Sequence, residues 1–480
     1  MSKRFRAIQV NEQGLVTFHQ SERSLLKEVF RMPINLMSPR KILAAVALTT
    51  AFAAAQTDSQ SPPKSWIDPD TGHRVLRLTD EPNSASLYFN DNAYTSSGKE
   101  MVYTTPDGIS VLDLQTFKSK PVVHGRVRVI VAGTKTLNVY YLKLPEHGAS
   151  QPTSSSSTGT RPPAAPLDLY ATNVDTGETR KVATLPLHAQ IGLATVNADE
   201  TLAAGTYIEG EGYQYGSNAA GQTHPLDQPA NKGQMMEQRL AARLPLVLFT
   251  INLKNGEMKT LLHSTDWVNH LLFSPTDPNL LMYCHEGPWH KVDRIWTIHT
   301  DGSQNMLIHR RTMTMEIAGH EFWSPDGKTI WYDLQTPKGQ DFWLAGYRLA
   351  DGQRTWYHLA RNEWSIHFNV TRVGSLFCGD GGDPGQVAHA PDGEWIYLFH
   401  PELIKSDGIN NKDLVQPGVF HAEKLVNMSK HQYKLEPNVR FSPDQKWVIF
   451  RSNMFGPTYT FGVEVAKANT GAATDTASSK

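Results

Sequence analysis

Three histidines and one asparagine stand four residues ahead of the same kind of tight turn. His270 precedes the turn at Ser274, His320 that at Ser324, His367 that at Thr371 and Asn438 that at Ser442. Asp91 takes the equivalent place in an earlier segment, and Glu436, two residues before Asn438, points to the same side of its strand. Polar side chains repeated at one register are expected to converge. Imidazole together with carboxylate and amide oxygens suits a divalent cation of intermediate hardness, Mn²⁺ or Ca²⁺, better than a thiolate-rich zinc site.

A second concentration of reactive types is CHEGPWHKVDR, Cys284 to Arg294. His285 and His290 titrate near neutral pH, while Lys291 and Arg294 bring fixed positive charge. Such a set can supply a general base and a bidentate grip on a carboxylate.

These residues need elements to position them. In EIAGHEFWSPDGKTIW, Glu316 to Trp331, a short apolar strand runs into a Ser-Pro-Asp-Gly turn and a second apolar strand. Seven segments between Ser96 and Ala468 share the order inner strand, turn, second strand, loop, third strand, turn, outer strand. One such unit cannot bury both its faces, and a closed ring of them can. The expectation is an all-β, seven-bladed β-propeller of four-stranded blades over residues 66–468, with the strand near His73 completing the last blade. Because the turn joins strands one and two at one end, the histidines belong at the other end. The long second-to-third-strand loops Glu209–Ala242, His285–Val292 and Gly379–Gly393 gather there too. Within the first of these loops, Gly233 to Arg243 reads as a helix.

Outside the repeats, Arg40-Lys41 followed by the apolar run Ile42 to Ala55 has the layout of a secretory signal peptide. We therefore expect a leader or over-extended start at 1–36, a signal at 37–55, a linker at 56–65, a flexible loop tip at 149–166 and a frayed tail at 469–480. The expected location is periplasmic or secreted. The run is too short to span a bilayer. A formal net charge of −1 gives no bulk attraction for nucleic acid or an anionic membrane. Two cysteines, Cys284 and Cys378, lie in repeats that are not adjacent, so two buried free thiols are expected.

The segments HLLFSPTDPNLLMYCHEGPWHKVDRIW, GHEFWSPDG and WSIHFNVTRVGSLFCGDGG resemble those of the oligogalacturonate lyases, a polysaccharide lyase family with a seven-bladed propeller fold. The resemblance implies β-elimination on short pectin-derived galacturonides with a divalent metal such as Mn²⁺ and a histidine base. It places the metal on His320, on a glutamine whose place falls near Tyr433, with Gln432 beside it, and on an H-P-H pair. Here that pair reads Glu436-Pro437-Asn438, a harder, oxygen-donating set. On this footing His320, Glu436, Asn438 and Gln432 are assigned to the metal. His270 is the first choice for the base and His285 the second, with Arg294, Lys291, Trp289 and His367 assigned to substrate. The alternatives are a lyase on another uronic-acid oligosaccharide and a non-catalytic exported propeller that binds a glycan or a protein. The sequence carries no signal of oligomeric state.

Overall fold

The structure, a computed structural model, describes residues 62–144, 166–210, 231–406, 408, 411 and 413–468. The chain divides into two compact units, Met1–Pro62 and Pro63–Lys480, and every strand among the described residues belongs to the second. The leader, the signal run, most of the linker and of the 149–166 loop, and the tail from 469 lie outside the described residues.

Nearly all regular structure is antiparallel sheet, and one four-stranded unit recurs. The second sheet contains Val127–Ala132, Asn138–Lys143, Asp168–Asn173 and Thr179–Thr184, and the third opens with Ala189–Val196 and Leu202–Ile208. The fourth contains Trp267–Phe273, Leu280–Glu286, Ile295–His299 and Met306–Leu307. Within each unit sequence neighbours are spatial neighbours, the outcome short turns impose. The sheet formed by the last strands, Arg440–Phe441, Trp447–Ser452 and Tyr459–Lys467, takes His73–Arg77 as its next strand, so the two ends of this unit are stitched together. A further strand, Ser65–Ile67, begins at the last residue of the expected linker.

One departure concerns the fifth and sixth repeats, whose sheets merge. The outer strand Arg354–Leu359 pairs in parallel with the thirteen-residue strand Val415–Asn427, from Arg354↔Val415 to His358↔Val419. A strand that long overruns its own sheet, and the open edge beside it supplies unpaired N–H and C=O groups.

The turns explain the register. In the Ser-Pro-Asp-Gly turn, Ser324 Oγ donates to Asp326 Oδ1 at 2.6 Å and Gly327 N–H donates to Ser324 O at 2.8 Å. Gly327 has φ +69°, and a Cβ there would meet Thr276 Oγ1 of the preceding turn at 2.2 Å, so both conformation and space call for glycine. The backbone bond that closes this turn, Ser324 N to Thr329 O, has six counterparts, donated by Thr95, Gly133, Asn197, Ser274, Thr371 and Ser442. The strands on either side of such a turn pack buried aliphatic and aromatic side chains against the neighbouring sheet, as Phe273, Leu281 and Tyr283 of the fourth sheet do with Leu248 of the third. A cavity of about 370 Å³ is lined at this end by Asn92, Ala132, Asn197, Ser274, Trp323, Val370 and Phe441, one residue from each first strand or the segment that stands for it. His320, His367 and Glu436 are not among the residues that line it.

Candidate active site

In the second to fifth sheets the residue four positions before the turn sits beside a point where its strand carries one extra residue. In the fourth sheet Asn269 faces Cys284 and Leu272 faces Met282, so His270 and Leu271 share a single partner; in the fifth, His320 and Glu321 do the same between Gly319 and Phe322. Such a bulge re-aims side chains. His270, His320 and Asn438 have φ of +47°, +48° and +56°, a left-handed conformation that costs an L-residue roughly 1–2 kcal/mol. Two of the three are histidines, held in place by the surrounding ladders.

His270 is the most open member, with its side chain 28% exposed, and its Nε2 lies 3.1 Å from Glu286 Oε2. That carboxylate sits on the same face of its strand as Cys284. Behind it, Arg294 Nη1 donates to Glu286 Oε1 at 2.9 Å and Arg294 Nε to Glu321 Oε2 at 3.1 Å, and all three groups are buried. Burial alone would raise the Glu286 carboxyl, but Arg294 and His270 outweigh it and hold it well below the usual carboxylate range. Glu321 is lowered in the same way, against its own burial, by Arg294 and then His270. With Glu286 ionised, His270 donates through Nε2–H, which leaves Nδ1 as its free nitrogen.

Two further imidazoles are fixed from behind. His320 Nδ1 lies 3.2 Å from Asp333 Oδ1, and His367 Nδ1 lies 2.6 Å from Asp380 Oδ2. Asp380 also accepts the N–H groups of Ile366, His367 and Asn438, which accounts for both its oxygens. The His320 and His367 rings meet edge to face at 5.1 Å, and His367 Nε2 faces Tyr88 Oη at 3.2 Å and Glu436 Oε2 at 3.8 Å. Trp289 stands over the His320 edge at 5.3 Å, donates Nε1–H to Glu286 Oε1 at 3.1 Å and faces the Arg294 guanidinium at 5.1 Å. Gly319 makes room for this arrangement: a Cβ there would meet Asp333 Oδ1 at 3.1 Å and the Trp289 ring at 3.5 Å.

The structure therefore gathers His270, His320, His367, Glu436 and Trp289, and sets others apart. His285 is on the opposite face of its strand, stacked on Trp296 at 5.1 Å with Nδ1 on Asp266 at 3.0 Å, because successive strand residues alternate. The expectation of a second base there does not fit its position. Arg294 is 3% exposed and occupied by two buried carboxylates, so it neutralises protein charge where a substrate grip was expected. Lys291 pairs with Glu237 of the helix Lys232–Ala242 at 2.8 Å on the surface. Asn438 is fully buried, with Oδ1 accepting Phe89 N–H and Nδ2 donating to Glu436 O, which makes it a clamp between segments and not the metal ligand expected. Gln432 is exposed; its backbone N–H donates to Asn453 Oδ1 and its carbonyl accepts the Leu435 N–H.

Several contributors were not singled out from the sequence: Tyr88, Glu286, Glu321, Asp333 and Asp380. One signal was present. His320–Asp333 and His367–Asp380 are both thirteen residues apart, the spacing that places a second-strand carboxylate beside the first-strand imidazole. Both cysteines are buried free thiols, as expected, and burial pushes each thiol up.

Four-stranded antiparallel units that carry imidazole–carboxylate pairs on bulged first strands define an all-β, propeller-like protein with a titratable centre. A family model described as oligogalacturonate lyase matches residues 234–468, just under half of the chain. The oligogalacturonide lyase of Pectobacterium atrosepticum is 29% identical over 220 residues, covering 44% of this chain and 53% of the relative. The oligogalacturonate lyase of Dickeya dadantii is 27% identical over 223 residues with the same coverage. The chain thus spans about half the length of the curated relatives it matches. Among solved structures, an oligogalacturonate lyase in complex with manganese aligns over 84% of this chain and 96% of its own at TM-score 0.63 and 20% identity. An oligogalacturonate lyase from Vibrio parahaemolyticus gives 0.62 and 21% over the same shares. At these identities the likeness establishes the fold.

Proposed function

We propose that the protein is a metal-dependent lyase that cleaves oligogalacturonides by β-elimination on a seven-bladed β-propeller. Seven turns closed by the same backbone bond, a cavity lined from every first strand and the strand pairing that joins the ends of the unit support the blade count. The observation that carries the chemistry is His270, partly exposed and with one nitrogen committed to Glu286. Its Nδ1 is free to take the C5 proton of a uronate as the C4–O bond breaks.

The residues also fit a divalent cation. Asp333 behind His320 is the carboxylate–histidine arrangement that orients a metal-binding imidazole. The Glu436 side chain is 39% exposed and approaches His367 only to 3.8 Å, a loose ion pair that leaves its oxygens open. His320 and Glu436 would hold the ion, leaving positions for substrate oxygens. A bound cation neutralises the C6 carboxylate and so makes the C5 proton more acidic. An imidazole nitrogen in the set favours Mn²⁺ over Ca²⁺, in keeping with the solved relative described as a manganese complex. Trp289 offers a sugar-stacking face, and His367, wholly buried, acts behind the site. The signal-like run Ile42–Ala55 makes the enzyme an exported one, and no helix among the described residues is long and apolar enough to cross a membrane.

Incubation of the purified protein with galacturonide oligomers, with and without Mn²⁺, tests the reading. Ultraviolet absorbance from a 4,5-unsaturated uronide is expected with the metal and is expected to fall on chelation. No such product from any uronide would remove the lyase function.

A further inference from the structure

Tyr88 follows the short first strand Ala85–Ser86 of the first sheet, more than a hundred residues ahead of the region the family model matches. Its ring nevertheless lies among the site residues, 5.2 Å from His367 and 6.3 Å from His270 between centroids. It is partly exposed, while the groups behind it are closed off: Tyr88 Oη is 3.2 Å from His367 Nε2, and His367 and Asp380 are both fully buried. Arg440 pins the backbone on either side through the carbonyls of Leu87, Tyr88 and Asp91, and the next N–H, that of Phe89, donates to Asn438. A phenol fixed in this way, partly exposed and with its ring 6.3 Å from that of the proposed base, is placed to touch substrate.

We propose that Tyr88 is a catalytic residue that protonates the departing glycosidic oxygen, a role that rests on the lyase reading above. His270 Nδ1 takes the C5 proton, the C5–H electron pair becomes the C4=C5 double bond, and the C4–O pair leaves on the glycosidic oxygen. That oxygen receives the Tyr88 Oη proton. The phenolate regains a proton from the His270 imidazolium, directly or through water, so protons and charge balance over one turnover. Burial raises the Tyr88 phenol well above its ordinary value, which keeps it in the proton-carrying form at rest. Asp380 and His367 are positioning residues for its oxygen.

The test compares the parent protein and Tyr88→Phe on two substrates. One is an oligogalacturonide; the other is a 4-deoxy-4-fluoro-galacturonide, from which fluoride departs without needing a proton. The expected result is a loss of at least about 100-fold on the oligogalacturonide and less than about 10-fold on the fluoride. Equal losses on both would make Tyr88 a packing residue and overturn the proposal, as would activity within about threefold of the parent on both. Absence of unsaturated product from the parent on either substrate would remove the lyase reading, and the role of Tyr88 with it.

Discussion

The second and third sheets and the fourth and fifth are built with the same backbone device and differ in what it presents. Four residues before the turn, the second sheet has Val129 and the third Leu193, each beside a register shift like those at His270 and His320. Leu193 is buried among aliphatic neighbours such as Ile130 and Val196, whereas His270 and His320 each have a carboxylate from the adjacent strand. The bulge is thus shared by these four sheets, and among them an imidazole–carboxylate pair appears where the bulged residue is histidine and a second-strand carboxylate stands next to it. The family model covers the histidine-bearing sheets and leaves out the first two sheets and the opening strands of the third, in keeping with a repeat that has specialised over part of its length.

The largest expected effect breaks that difference from the histidine side. His270→Leu gives the fourth sheet the side chain of the third. It should retain the fold and lower turnover on galacturonide by about 10³-fold, within the range for loss of a general base. Leu193→Ala, the matched change in the other region, should leave turnover per folded molecule unchanged and cost about 2–5 kcal/mol of stability through the cavity it opens. Urea titration and the absorbance assay together separate the two results. A His270→Leu variant as active as the parent would show that the polar register is not catalytic.

Arg294 sharpens the comparison, because among the described residues nothing in the second and third sheets corresponds to a buried cation between two buried carboxylates. Arg294→Met leaves Glu286 and Glu321 facing each other without their counter-ion, and a loss of roughly 3–5 kcal/mol is expected. The same network gives the parent an acid limit. Both carboxyls are depressed in the folded state, so their contribution is present above the ordinary glutamate range near 4.3 and is lost as pH falls through the folded values. Arg294→Met should flatten that part of the pH–stability curve, and an unchanged slope between about pH 5 and 3 would show that the network does not hold these charges.

The fold was readable because its evidence is local and repeated: turn residues at fixed offsets, alternating apolar strands, and a histidine at a constant distance from Ser274, Ser324 and Thr371. The site was readable only as far as that register reached. It placed His270, His320, His367 and Glu436 together but could not show that Asn438 would spend its amide on Phe89, since that contact spans 349 residues. Strand alternation alone would have put His285 on the face away from Glu286, a step within reach of the sequence. That Arg294 is buried between two acids depends on packing between the fourth and fifth sheets, and a basic residue in a polar loop gives no sign of it. Tyr88 carries no motif, and only the folded chain brings it to His367.

Asp91 is the member of the shared register in the segment between Ala85–Ser86 and Glu100–Thr105 of the first sheet, and it tests on which side of the comparison that segment falls. Burial pushes its carboxyl up to about 7, against the opposing pull of Arg440 and then His270. An unfolded aspartate titrates near 3.9. Between these values the folded chain keeps a proton that the unfolded chain has released, so Asp91 makes the protein most stable at the acid end of this window and less stable as pH rises toward 7. Asp91→Asn removes the titration while keeping a similar shape. Relative to the parent, the variant should gain on the order of 1–2 kcal/mol between pH 5 and pH 8, read from urea midpoints at the two pH values. A gain confined to stability, with galacturonide turnover at pH 5 unaltered, would group Asp91 with Val129 and Leu193 as a residue of the scaffold. A loss of turnover with no change in the stability slope would instead group it with His270 and His320, and would extend the active register into the segment that supplies Tyr88.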